Sequence, residues 1–392
     1  MLTRSGWGAL ALAIVAFVTG RVFGILELYV LGAGLLAAVA LAVLGNLRRP
    51  PRLAVRRVLE PSVVRAGDAA RVDVQVANTG SRRTPLLQLW EPVGETGGAT
   101  MNLAPLRRRE ATAAAYRLPT SSRGVVRIGP MQARRRDVLG LCQSTFVLQG
   151  NVELLVIPRY SPAPFPLSGS SGRLGEHLRL RAYGQSGSEF HSLREYVVGD
   201  DLRRISWKAS ARSEDFLVKE TALEGLRRCC VVVDVDDVGY DGPAFERAMS
   251  AAASLVTGAV AGGLTTRLAA PEVDLRGPDV APLALRWLAT ARHLPGDRTA
   301  LPSLRAGEGL GLLILVTGSP TSVRANEVRG MVSPDDTLVI VATASAGGER
   351  TTDRFVVDAT QDDGFAASWS RLAGDLGHAR AVPTSEAMAG LA

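Results

Sequence analysis

The first fifty positions carry no amphipathic period. Ser5 to Gly20 is a run of sixteen residues without a charge, and Leu28 to Leu47 is a second of twenty. At about 1.5 Å per residue the second spans roughly 30 Å, the hydrocarbon thickness of a bilayer. The first reaches that length if it continues to Ile25 with Arg21 snorkelling to the interface. The pattern predicts a transmembrane hairpin over residues 1–47 that turns between Gly20 and Glu27. A cleaved signal peptide over residues 1–20 would end at Val18-Thr19-Gly20, a poor cleavage site.

Beyond residue 47 the period changes to two. Arg71 to Ala77 alternates strictly and runs into Asn78-Thr79-Gly80, a turn signal. Leu86–Trp90, Ala113–Leu118, Gly124–Ile128 and Val152–Ile157 are further short runs between Gly, Pro and Asn. About six to eight strands over residues 48–160 predict an immunoglobulin-like β-sandwich. Residues 161–186 open with Ser161-Pro162-Ala163-Pro164-Phe165-Pro166 and read as a linker.

The pattern changes again from residue 226 to 385. Arg228–Asp234, Gly263–Ala270, Leu310–Thr317, Thr337–Ala342 and Arg354–Val357 read as strands. Pro243–Ala261, Ala281–Arg292, Val323–Met331 and Asp363–Leu376 read as helices between and after them. Strands apolar on both faces predict a parallel sheet covered on both sides, a doubly wound α/β domain. Ligands of such sheets lie at the carboxyl ends of the strands.

Charge sharpens this division. Residues 1–230 carry 32 basic and 18 acidic side chains, and the remainder 13 and 20. Arg48, Arg49, Arg52, Arg56 and Arg57 follow the second apolar run without an acid among them, which predicts that everything downstream is cytoplasmic. The basic half then faces an anionic leaflet. Three cysteines exclude a disulfide framework, and four scattered histidines leave no zinc spacing. Cys229 and Cys230 read as buried strand residues. Cys142 has no histidine near it in the chain and reads as structural. There is no GxxxxGK[ST] loop and no GxSxG elbow, and the glycines near 307–311 precede a strand instead of following one.

The densest segment is 187–225. It holds Arg194-Glu195-Tyr196, Gly199-Asp200-Asp201, Arg203-Arg204-Ile205 and Trp207-Lys208, then Arg212. Asp200 or Asp201 can cap a helix running to about Arg212. Lys208 and Lys219 are the two lysines in a chain with 43 arginines, a hint that an ammonium is wanted here. The mix of paired charges with Phe190, Tyr196, Ile205 and Trp207 predicts a segment packed on the α/β sheet.

This Glu-Phe…Leu-Arg-Glu-Tyr…Gly-Asp-Asp…Arg-x-Ile-x-Trp-Lys…Ala-Arg pattern resembles the bacterial family carrying the domain of unknown function DUF58. The resemblance extends to Tyr116–Thr120, Ile128-Gly129-Pro130 and Asp137–Leu141. It implies a von Willebrand factor A-like fold for residues 226–385. It also implies a gene neighbourhood with MoxR-type AAA+ ATPases and transglutaminase-like membrane proteins, and no established catalytic activity. Domains of the A type often hold Mg²⁺ on Asp-x-Ser-x-Ser with a later Thr and Asp. Here Asp234 matches, Asp236 and Val238 replace the two serines, and Gly318 stands where the later Asp belongs. Asp234, Asp236 and Asp237 remain as a degenerate set for an ion that prefers octahedral oxygens.

The expected function is a membrane-anchored adaptor, not an enzyme. It needs no cofactor, and its A-like domain binds a protein, namely a MoxR-type ATPase. A binder of nucleic acid or another anionic ligand through Arg203, Arg204, Lys208 and Arg212 competes with it. The interleaved acids and the lack of an aromatic platform speak against that, so no nucleic acid is expected. A metal-dependent hydrolase on the three aspartates lacks a nearby general base.

Overall fold

A computed structural model gives the fold of the chain. It describes residues 1–47, 49–95, 97–165, 172–184, 190–195, 205–211, 216–221, 228–296, 300–302, 304, 311–332, 336–346 and 355–374. The chain forms two compact units, Met1–Val156 and Ile157–Ala392.

The first unit opens with α1 (Arg4–Phe23) and α2 (Leu26–Asn46). Thr3 caps α1, its hydroxyl accepting from the Gly6 amide at 3.1 Å. Gly24, at φ +68°, ends α1 in the left-handed conformation that glycine adopts without penalty. The turn is therefore Gly24-Ile25, shorter than expected, because α1 runs through Arg21 to Phe23. Small residues let the helices approach. Ala13, Ala16 and Gly20 are buried on α1, and Gly32 and Ala42 on α2. A Cβ on Gly32 would lie 3.0 Å from the Phe17 ring. The outward faces are equally apolar: Leu12, Ile14, Val15, Val18, Leu31, Leu41 and Leu44 are each more than half exposed. A hairpin shaped for water would turn polar residues outward. Both helices are long and apolar enough to cross a membrane, which suggests membrane anchoring.

A β-rich region follows: β1 (Leu53–Glu60), β2 (Val63–Arg65), β3 (Arg71–Asn78), β4 (Leu87–Val93), β5 (Gly97–Leu103), β6 (Ala111–Arg117), β7 (Gly124–Ile128), β8 (Met131–Arg136), β9 (Gln143–Gln149) and β10 (Val152–Ile157). One sheet has the order β1-β3-β6. The other runs β2-β10-β7-β4-β8-β9, with β5 also on β4. The alternation at Val72, Val74 and Val76 turns those valines into a core shared with Leu87, Leu89, Ile128, Met131 and Leu154 of the other sheet. Arg57 corrects one expectation. It is not a lipid-facing charge. Its side chain is 5% exposed and ion-paired with Glu91, which is fully buried. Tyr116 donates its hydroxyl to the same carboxylate at 2.7 Å. Arg49, Arg52 and Arg56 are exposed, and Arg48 lies outside the described residues.

The second unit contains α3 (Arg173–Gly184), β11 (Phe190–Glu195), α4 (Trp207–Ser210), β12 (Leu217–Thr221), β13 (Arg228–Val233), α5 (Gly242–Ala261), β14 (Thr265–Ala270), β15 (Val273–Arg276), α6 (Val280–Thr290), β16 (Leu312–Thr317), α7 (Val323–Met331), β17 (Thr337–Ala342), β18 (Val356–Asp358) and α8 (Gly364–Ala373). One sheet has the order β15-β14-β13-β16-β17-β18. It is parallel except for β15, which pairs antiparallel with β14 at the edge. That edge strand departs from the all-parallel expectation. Its short ladder is reinforced by Arg267, whose Nε donates to Asp274 at 2.7 Å. Asp241 caps α5, accepting from the Ala244 amide at 2.6 Å, and Pro243 sits in its first turn.

The stretch expected to be a linker is in part structured. Residues 173–184 form α3. The Ser-Pro run before it packs on helices: Ala163 donates its amide to Ser254 of α5 at 2.9 Å. Trp369 of α8, fully buried, donates its indole N–H to Pro164 at 2.6 Å and packs on Phe165. A Cβ on Gly258 would lie 2.0 Å from the Ala163 carbonyl, so glycine is what lets this segment lie against α5.

Candidate functional site

After β13 the chain crosses to β14 on one side, and the later strand β16 lies on the other. The strand order reverses between β13 and β16, and that reversal opens a crevice at their carboxyl ends. Asp234 leaves β13 at this point and Thr317 ends β16. Around them is a hollow of about 460 Å³, lined by Asp234, Asp236, Asp237, Ser319, Ser322 and Arg324 among others.

The hydrogen bonds define a polar cluster. Asp234 is fully buried. Its Oδ1 accepts from the Asp236 amide at 3.1 Å and its Oδ2 from the Thr317 hydroxyl at 2.7 Å. Asp237 Oδ2 lies 3.2 Å from the same hydroxyl and accepts from the Ser319 amide at 3.0 Å. Its Oδ1 accepts from the Gly239 amide at 2.8 Å. Thr317 has one proton for two carboxylates, and the Ser322 hydroxyl stands 3.0 Å away from it. Burial, and then the neighbouring Asp236, push the Asp234 carboxyl up to about 8, against the pull of the Thr317 hydrogen bond. The neutral form of Asp234 is thereby favoured over the charged one.

The positive charge comes from Arg324, in the first turn of α7. Its Nη2 donates to Asp236 Oδ2 and its Nη1 to Glu327 Oε2 at 2.6 Å. The side chains of Arg324 and Asp236 are 5% and 10% exposed. Burial works against the guanidinium charge. The hydrogen bond and the charge of Asp236 more than offset it. Sequence reasoning missed Arg324. A cation in the first turn of a helix opposes the macrodipole, and that was the available signal.

The residues present do not fit a Mg²⁺ ion held by the A-type pattern. Arg324 already engages Asp236. Val238 brings no oxygen from its side chain and is 77% exposed. Gly318 brings no side-chain oxygen, and a Cβ there would lie 2.6 Å from Asp237 Oδ2, so any side chain at 318 would have to displace that carboxylate. Among the described residues no group of three or more His, Cys, Asp and Glu side chains is arranged to hold a metal.

The 187–225 segment is described only in part. Arg194 and Glu195 lie on β11, in register with Val218 and Leu217 of β12. Ile205 is buried. Trp207 is not: it is 64% exposed and meets Phe216 edge-on at 6.1 Å between ring centres. Lys208 is exposed. Of the helix expected to run to about Arg212, the described residues hold the single turn α4. None of Ile205, Trp207 and Lys208 lines the hollow. Tyr196, Gly199, Asp200, Asp201, Arg203, Arg204 and Arg212 lie outside the described residues. Cys142, Cys229 and Cys230 are buried. Burial raises the Cys229 thiol and pushes Cys230 up to about 12, so neither supplies a thiolate.

A sequence profile of the family described as "Protein of unknown function DUF58" matches residues 192–267, from β11 into β14. The Bacillus subtilis protein YeaD, itself uncharacterised, is 26% identical over 180 residues, 46% of this chain and 44% of YeaD. The match thus spans less than half of that relative. Among solved structures, the CARDB domain of the PF1109 protein from Pyrococcus furiosus is 18% identical at a TM-score of 0.21, over 28% of this chain and 94% of that one. A β-glucosidase from Listeria innocua is 13% identical at 0.18, over 27% and 16%. Neither likeness bears on the fold assignment.

Proposed function

We propose that the chain is a membrane-anchored adaptor whose soluble parts lie in the cytoplasm. In this reading the β-rich region is an immunoglobulin-like sandwich and the second unit an A-like domain. The hollow at the carboxyl ends of β13 and β16 receives a protein partner, a MoxR-type AAA+ ATPase by the DUF58 resemblance. One observation carries the reading: the crevice that doubly wound folds use for ligands is filled with a carboxylate–hydroxyl–arginine cluster. That cluster suits hydrogen bonding to a partner. Exposed Arg49, Arg52 and Arg56 after α2 support the cytoplasmic orientation.

A photo-crosslinking residue at Val238, on the exposed rim, tests this in native membranes. The expected adduct is with an AAA+ ATPase, and it disappears when Asp237→Arg is added. An adduct unaffected by that change, or none, refutes the reading, as does cysteine labelling that finds residue 238 outside the cell.

A further inference from the structure

We infer that the Asp137–Cys142 turn of the β-rich region is a membrane-contact element, with Val138 and Leu139 seated in the headgroup layer beside the hairpin. The inference rests on reading α1 and α2 as membrane spans.

Three observations converge. The first is exposure: Val138 is 103% exposed and Leu139 64%, side by side at the tip of a turn. The second is rigidity. Asp137 Oδ2 accepts from the Leu139 amide at 3.0 Å, and Oδ1 accepts from the Cys142 amide. The Gly140 amide donates back to the Asp137 carbonyl at 3.0 Å, with Gly140 at φ +69°. Two apolar side chains are thus held outward by a fixed frame, where a loop made only for water would carry polar ones.

The third is position. The amide of Thr3, the cap of α1, donates to the Leu141 carbonyl at 2.9 Å, and its hydroxyl donates to the Gly140 carbonyl at 2.6 Å. Leu2 bridges to Cys142, and the Met1 amine donates to the Gln143 carbonyl at 2.9 Å. Gly6 lies so close that a Cβ would sit 2.2 Å from the Leu141 carbonyl. At the other end of the hairpin, Arg135 donates to the Asn46 carbonyl at the last residue of α2. The turn is therefore fixed level with the start of one apolar run and the end of the other. In a bilayer that takes both helices, this is the depth of the interface. Arg136 directly precedes the turn, Arg4 follows Thr3 and Arg49 follows α2, and all three are exposed, as cations are that meet lipid phosphates. Apolar side chains among arginines match an anionic headgroup layer better than they match water or a polar protein surface.

The test uses the full chain in nanodiscs of mixed phosphatidylcholine and phosphatidylglycerol, labelled with an environment-sensitive nitrobenzoxadiazole dye at Val138→Cys. The native cysteines are buried and take up little label. Val138 makes no buried contact, so the substitution leaves the fold intact. A parallel label at Leu44→Cys, exposed on α2, reports the span itself. The expected result at position 138 is a blue-shifted emission, loss of quenching by aqueous iodide, and quenching by doxyl groups near the lipid glycerol. If Leu44→Cys is quenched by lipid while Val138→Cys stays open to iodide, the inference fails and the membrane reading stands. Protection from iodide without lipid quenching means a protein surface covers the turn, and also overturns it. If neither position is quenched by lipid, the membrane reading fails and the inference falls with it.

Discussion

Replacing Arg324 by Ala removes the cation of the hollow and leaves Asp236 nearly buried beside Asp237. Breaking a buried ion pair from one side costs about 3–5 kcal/mol, because the remaining charge has lost its partner. The expected destabilisation is therefore about 3–5 kcal/mol at pH 7. Hydrogen exchange of the full chain in detergent reads this locally. The amides of Asp234 and Ser319 are tied to the cluster, that of Asp234 through the Val316 carbonyl at 2.9 Å. Their protection should fall on the order of 100-fold or more. Arg324→Lys keeps the charge but not the two-pronged contact to Asp236 and Glu327, and should lie between. Unchanged protection at pH 7 would refute the role given to Arg324. Protection in the unaltered chain that rises with added Mg²⁺ would show that the aspartates hold an ion after all.

The raised Asp234 carboxyl fixes the sign of a pH effect. The folded state binds its proton more tightly than the unfolded chain, so stability falls as pH rises from about 4 to about 8 and levels off above. Asp234→Asn should remove that slope from denaturant midpoints, and an unchanged slope in the variant contradicts the assignment. Gly258→Ala drives a methyl into the Ala163 carbonyl, which should cost about 1–3 kcal/mol and speed tryptic cleavage at Arg159; an unaltered digestion rate refutes the contact. Trp207→Ala should change stability by no more than about 0.5 kcal/mol, given its exposure. A loss above about 1 kcal/mol would restore the packed role that the sequence suggested.

Burial that repeats locally along the chain was legible. The two uncharged runs became α1 and α2, the alternation at Arg71–Ala77 became β3, and the β-branched runs at Arg228–Asp234 and Leu310–Thr317 became the central strands of the α/β sheet. Shorter elements escaped. β15 is four residues with one alternation, Val273-Asp274-Leu275-Arg276, and α3 follows a stretch rich in Ser, Gly and Pro that masks its start. Trp207 was misread because an aromatic among charges suggests burial, whereas a single helical turn leaves it mostly in solvent.

The larger failures concern charge, and they share a cause. Asp234, Asp236 and Asp237 could be picked out because they sit together after a strand, where open α/β sheets place ligands. Arg324 could not, because its partner Asp236 is 88 positions away. Arg57 was assigned to the membrane face by its arginine neighbours, while its real partner, Glu91, lies 34 positions on. Hydrophobic periodicity reports which face of an element is covered, not which distant charge meets it there. A chain with 43 arginines makes matters worse, since one more arginine on a helix carries little information. Position within the element retains some. A cation in the first turn of α7 is disfavoured by the helix dipole and needs a nearby anion to be tolerated. The nearest candidates are the acids at the carboxyl end of β13, so helix-start arginines opposite a strand-end acid cluster are the signal to seek in chains of this composition.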